Sequence, residues 1–186
     1  VTLGYEILFT RLLLQGFLGT AYSFTIILAA FLGGLAIGAA VAPPSRSEST
    51  ASLGAIISAG AALALAFAPL VATTPELVEL LRGNDVRFWV RLAIYIALSI
   101  VLIGLPAVVW GMAFPMAAGR FVAKGRAGAS LGGAYLVNTL GGVAGSLATG
   151  FWLLPALGVR GALVALALVQ AGCGLWLMVR DRRGAW

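Results

Sequence analysis

The sequence has no histidine and a single cysteine, and only 10% of its residues are charged. Each shortage excludes a class of chemistry. Without histidine there is no bis-His haem, no His-ligated chlorophyll and none of the His-rich zinc or copper sites. A lone Cys173 forms no internal disulfide and holds no metal cluster by itself. Between Gly172 and Gly174 in apolar sequence it reads as a buried, inert thiol. A soluble domain is about one quarter charged, so this chain is short of the surface that water requires. It carries no Gly-rich loop after a strand pattern and no paired acidic residues placed for catalysis. No catalytic residue, cofactor or metal is therefore assigned.

What is present is apolar length. Of 186 residues, 61% are hydrophobic, and they run continuously rather than alternating, which argues for helices and against a transmembrane barrel. The expectation is an all-α, polytopic membrane bundle forming one transmembrane domain over 1–186. Six spans are read at about 1–18, 21–42, 53–73, 90–118, 131–153 and 159–179. Val1 opens directly in apolar sequence with no cleavable signal peptide, so the first helix is expected to begin at or before it. Pro43-Pro44 ends the second span, Pro155 the fifth, and Arg180 to Arg183 the sixth. "TTPELVELLRGND" supplies an N-cap (Thr74), an N1 proline and a C-terminal glycine (Gly83). It reads as a short interfacial helix at about 75–82, serving as a connector or as a lid.

The net charge of +6 is spread over short loops, so it points to membrane topology and not to nucleic acid. Loop alternation puts Arg46, Arg120, Lys124, Arg126, Arg180, Arg182 and Arg183 on one side, with Glu48 and Asp181. Arg82, Arg87, Arg91 and Arg160 fall on the other, with Glu76, Glu79 and Asp85. The positive-inside rule makes the first side, with the C-terminus, cytoplasmic. A bacterial inner membrane is the expected location.

Three stretches depart from plain apolar helix. In "GYEILFTRLLL", Glu6 and Arg11 each cost about 2.5–3.5 kcal/mol if placed at the bilayer centre. Five residues separate them by roughly 140° and ~7.5 Å along a helix. The spacing argues against a shared face and an intrahelical pair. Each either reaches toward another helix or snorkels from the end of a tilted span.

In "IGLPAVVWGMAFPMAAGRF", Pro106 and Pro115 release the carbonyls of Leu102 and Gly111. The helix over 91–119 would be ~43 Å long, against a ~30 Å hydrocarbon core. A kink around Pro106, Gly111 and Pro115 is expected, either lining a substrate site or purely structural. In "NTLGGVAGSLATG", four glycines replace the bulk that lipid favours. Rows of small residues, Gly34 and Gly38 in span two and Gly141, Gly142, Gly145 and Ser146 in span five, suit close helix packing. Asn138 needs a hydrogen-bond partner, and the carbonyl of Gly111 is the candidate. "LGGLA" (32–36) and "LGGVA" (140–144) each fall in the middle span of a three-span half, as a 3+3 inverted repeat would place them.

In order along the chain, these words resemble the membrane part of the multi-pass spermidine synthase-like proteins. The matching words are Tyr5, Glu6, Arg11, Leu12 and Leu13; then "AAFLGGLAIG" from Ala29 to Gly38; then Gly111, Phe114, Pro115 and Ala118; then Tyr135, Asn138 to Gly141, Gly145 and Ser146; and finally the run from Gly150 to Gly158. The resemblance implies a cytoplasmic aminopropyltransferase-like domain as partner, fused or separate. Glu6 would then be the acidic contact for a cationic amine and Asn138 a neutral one. The chain departs from the family pattern in lacking that soluble domain's motifs and in a shorter first span, so aminopropyl transfer is not assigned to it. Two other readings stand beside this one: an accessory subunit docking other membrane helices through its Gly/Ala faces, and a small transporter-like unit, alone or as a homo-oligomer.

Overall fold

The computed structural model describes residues 1–16, 21–43, 50–70, 73, 76, 79, 87–122 and 127–182. Nearly all of these are helical, with no strand among the described residues. In chain order the helices are α1 (Thr2–Gly16), α2 (Ala21–Val41), α3 (Ala51–Ala66), α4 (Phe88–Ser99), α5 (Leu105–Val122), α6 (Ala127–Ala148) and α7 (Leu154–Arg182). A π turn at Ile100–Gly104 joins α4 to α5, and a second at Thr149–Leu153 joins α6 to α7. Among the described residues, four stretches are long and apolar enough to cross a bilayer: Ser23–Val41, Ala51–Leu70, Phe88–Gly119 and Leu131–Arg182.

The last of these, 52 residues, would reach ~78 Å as one rod. It is divided at Gly158, whose φ of 66° and ψ of −177° are non-helical. Only glycine takes that conformation at little cost. The sequence closes the fifth span at Pro155 and opens the sixth at 159, directly after Gly158, but Pro155 itself does not make the break. Pro155 instead follows the second π turn. Its missing N–H falls where the ladder has already widened, with Leu154 N–H donating to Thr149 five residues back. Pro106 stands in the same relation to the first π turn, where Leu105 N–H donates to Ile100. Each proline costs a hydrogen bond, and a π turn just before it gives the ladder the slack to continue.

α1 is short for a span, yet one of its faces lies in the core. Tyr5, Leu8, Phe9, Leu12 and Leu13 recur at helical spacing on one face and are all buried. Tyr5 stacks on Trp110 of α5 with ring centroids 4.5 Å apart. α2 crosses the first π turn and α5 at backbone contact. A Cβ added at Gly34 would stand 2.5 Å from the carbonyl oxygen of Gly104, and one at Gly38 would collide with the carbonyl of Val108. Gly111 faces the Leu35 backbone in the same way. α3 and α7 make a second close crossing. A Cβ on Gly54 would be 2.6 Å from Gly174 O, and one on Gly174 would be 2.7 Å from Gly54 O.

The end of α7 is tied to the start of α3. One carboxylate oxygen of Asp181 accepts from the backbone N–H of Thr50 at 2.7 Å and from its hydroxyl at 2.9 Å. Asp181 thus caps a helix from another element, supplying the acceptor that Thr50 does not provide for itself. Cys173 is exposed, not buried: its neighbour Gly174 takes the inward position against α3, which turns Cys173 to the outside. Of the interfacial helix expected at 75–82, only Glu76 and Glu79 are among the described residues, both helical and exposed. Arg46, Glu48, Arg82, Asp85, Lys124, Arg126 and Arg183, used for the two-sided charge count, lie outside them.

Candidate functional site

Two open clefts and one buried polar locus gather polar side chains within the bundle. The larger cleft, about 770 Å³, lies between α1, the start of α2 and the second π turn. Leu3, Glu6, Ile7, Thr10 and Arg11 line it from α1, facing Phe24, Ser146, Gly150 and Leu154. Glu6 and Arg11 therefore share a wall, against the expectation from their angular separation. The reason lies in the residues between them. Positions 3, 6, 7, 10 and 11 follow i, i+3, i+4, i+7, i+8, a complete helix stripe, and Glu6 and Arg11 are both members of it. The opposite stripe, with Tyr5, Phe9 and Leu12, is consumed by the core. Glu6 is half-buried and Arg11 exposed. No ion pair joins them among the described residues.

The second cleft, about 570 Å³, lies between the start of α1, α2, α5 and α6. Asn138, Gly111 and Pro115 all line it, so the structure brings the amide beside this part of α5, which runs on as helix through Pro115 without a break. It does not bond them: Asn138 is exposed, and no hydrogen bond links it to Gly111 among the described residues. What ties α6 to α5 is a ring contact, Phe114 against Tyr135, with centroids 4.7 Å apart.

The glycines of α6 and the second π turn divide. Gly142 meets the side chain of Leu3, and Gly145 lies near Val1, whereas nothing approaches Gly141 or Gly150. Ser146 turns its hydroxyl back onto the Val143 carbonyl at 2.9 Å, leaving its body to line the first cleft.

The buried locus escaped the sequence reading. Gln170 of α7 is buried; its amide nitrogen donates to the Ile57 carbonyl of α3 at 2.9 Å, and its amide oxygen has no partner. The indole nitrogen of Trp110 and the amide nitrogen of Gln170 crowd the same side of Gly60. Tyr5 OH, Ser58 Oγ and Trp110 Nε1 are likewise buried without a hydrogen-bond partner among the described residues. The signal was available: Gln170 is the only amide in the apolar run from Gly161 to Leu177, and a polar side chain in such a span needs helix neighbours. Gly54, Ser58, Gln170 and Gly174 also sit at four-residue spacing on their two helices.

No group of three or more His, Cys, Asp or Glu residues that could hold a metal occurs among the described residues. The chemistry on offer is recognition: a carboxylate, a guanidinium and hydroxyls on the wall of an otherwise apolar cleft. No protein-family model, curated protein or solved structure matches this chain.

Proposed function

We propose that this chain is a multi-pass membrane domain of the spermidine synthase-like type. On this reading it anchors an aminopropyltransferase-like enzyme domain at the cytoplasmic side, or exchanges an amine substrate with it. The bundle crosses the bilayer six times, counting α1 and the two helices around Gly158. The halves form a 3+3 inverted pair, and the C-terminus is cytoplasmic. The supporting features are the apolar helices, the ordered family words and the end-of-helix aromatics. Phe88 and Trp89 at the start of α4, and Phe151 and Trp152 near the end of α6, are strongly exposed. They fall on the side opposite the C-terminus in this topology. Trp176 sits near the C-terminal end of α7 with Arg180 over its ring at 5.1 Å. Aromatic residues at both levels suit the two membrane interfaces.

The observation that carries the functional reading is the carboxylate of Glu6, half-buried in an open cleft with no ion-pair partner on the described chain. A charge in such a place needs a counter-charge or water, and a protonated amine supplies both charge and hydrogen-bond donors. Binding of spermidine to the purified chain, measured by titration, is expected to weaken at least about tenfold in Glu6→Gln, the loss of one charged hydrogen bond. Unchanged binding in that variant removes Glu6 from the reading.

A further inference from the structure

Arg11 narrows what the cleft accepts. It lines the same wall as Glu6, about 7.5 Å further along α1 by helical rise. The two opposite charges do not neutralise each other directly among the described residues. Between and around them the lining is mostly apolar, from Leu3, Ile7, Phe24 and Leu154, with Thr10 and Ser146 among them. A polycation reaching Glu6 would bring further ammonium groups toward the guanidinium. A purely anionic ligand would meet the carboxylate. Only a molecule with both charges satisfies both ends.

We propose that this cleft binds a zwitterion: a protonated amine at Glu6 and a phosphate or carboxylate at Arg11. An apolar body lies against Phe24 and Leu154. The guanidinium suits the anionic end because its planar donors take an oxyanion in pairs. An N–H-bearing ammonium suits the carboxylate end because it donates hydrogen bonds that a quaternary ammonium lacks. The chemistry is that of a phosphoethanolamine group, carried by a lipid or free. This inference rests on the reading of Glu6 as an amine contact and adds an anionic group to the amine that the cleft takes.

The test uses the full chain in nanodiscs of phosphatidylcholine. Retention of added phosphatidylethanolamine, and of phosphatidylglycerol as the anionic control, is read by native mass spectrometry. The expected result is preferential retention of the ethanolamine lipid, weakened at least about tenfold by Glu6→Gln and by Arg11→Gln, and kept by Arg11→Lys. Thermal unfolding of each variant, unchanged, separates lost binding from lost fold. Competition by soluble phosphoethanolamine identifies the free zwitterion as sufficient; retention without competition identifies the lipid headgroup as the ligand. Both outcomes support the zwitterion site.

Spermidine binding that weakens in Glu6→Gln but strengthens in Arg11→Gln overturns the inference and keeps the polyamine reading. Ethanolamine-lipid binding without spermidine binding does the reverse. Equal retention of all the lipids, indifferent to both substitutions, overturns the zwitterion site.

Discussion

α2 and α6 carry nearly the same glycine word, and the structure uses the two differently. In "LGGLAIG" of α2, Gly34 and Gly38 lie against the backbones of the first π turn and α5, where no Cβ fits. In "LGGVAGS" of α6, Gly142 touches only a side chain, Leu3, and Gly141 has open space. A glycine row permits close approach, but it becomes an interface only where another backbone presents a complementary row. For α2 that row is Gly104, Ala107 and Gly111. α6 meets the start of α1, which offers bulky Leu3 at that point, and much of its surface stays outside the bundle. Tyr135, Leu136, Val137, Leu140, Val143 and Leu147 are all exposed, toward lipid in the proposed topology.

The largest expected effect breaks the closed crossing. Gly38→Val forces α2 away from the Val108 carbonyl, and a loss of about 3 kcal/mol in detergent unfolding is expected, the upper end of the overpacking range. Smaller, about 1–2 kcal/mol, is the expected loss in Asp181→Ala, which leaves the Thr50 N–H without its cap. Hydrogen exchange at the start of α3 should rise in that variant while the α2–α5 crossing stays protected.

Gly54→Ala sharpens the comparison at α3–α7. The methyl would meet the Gly174 carbonyl, so a cost of about 1 kcal/mol is expected, against a gain for Ala over Gly where space is open. Smallest is Gly141→Ala. With nothing nearby, it should be neutral or stabilising by up to about 1 kcal/mol. A clear destabilisation there, read in the same unfolding assay, would mean that another helix covers this face.

Much of the architecture was legible because bilayer helices announce themselves through apolar length. The bounds of α2 were read to within a residue, since Pro43 ends it sharply. The sequence puts the break inside α7 between 154 and 158 but credits it to Pro155, because a proline is a strong stop signal in isolation. Next to a π turn it is accommodated, and the glycine three residues on makes the break. Glu6 and Arg11 were seen as costly charges, but their shared wall was not, because the angle between two residues says less than the whole stripe to which they belong. Gln170 and Asp181 were passed over for opposite reasons. One hid as a neutral amide among aliphatics, and the other was counted only as a loop charge. Both turn out to bind α3 to α7, through contacts more than 100 residues apart in sequence, which local reading does not supply.

On the proposed function, this bundle serves a cytoplasmic amine-handling enzyme domain. Gentle purification of the chain from its native membrane, followed by identification of stoichiometric partners, tests it most directly. The account predicts an aminopropyltransferase-like domain, bound or covalently continuous with the chain, at the end that follows α7. Recovery instead as a stoichiometric member of a respiratory or photosynthetic assembly, with no such domain present, would contradict it.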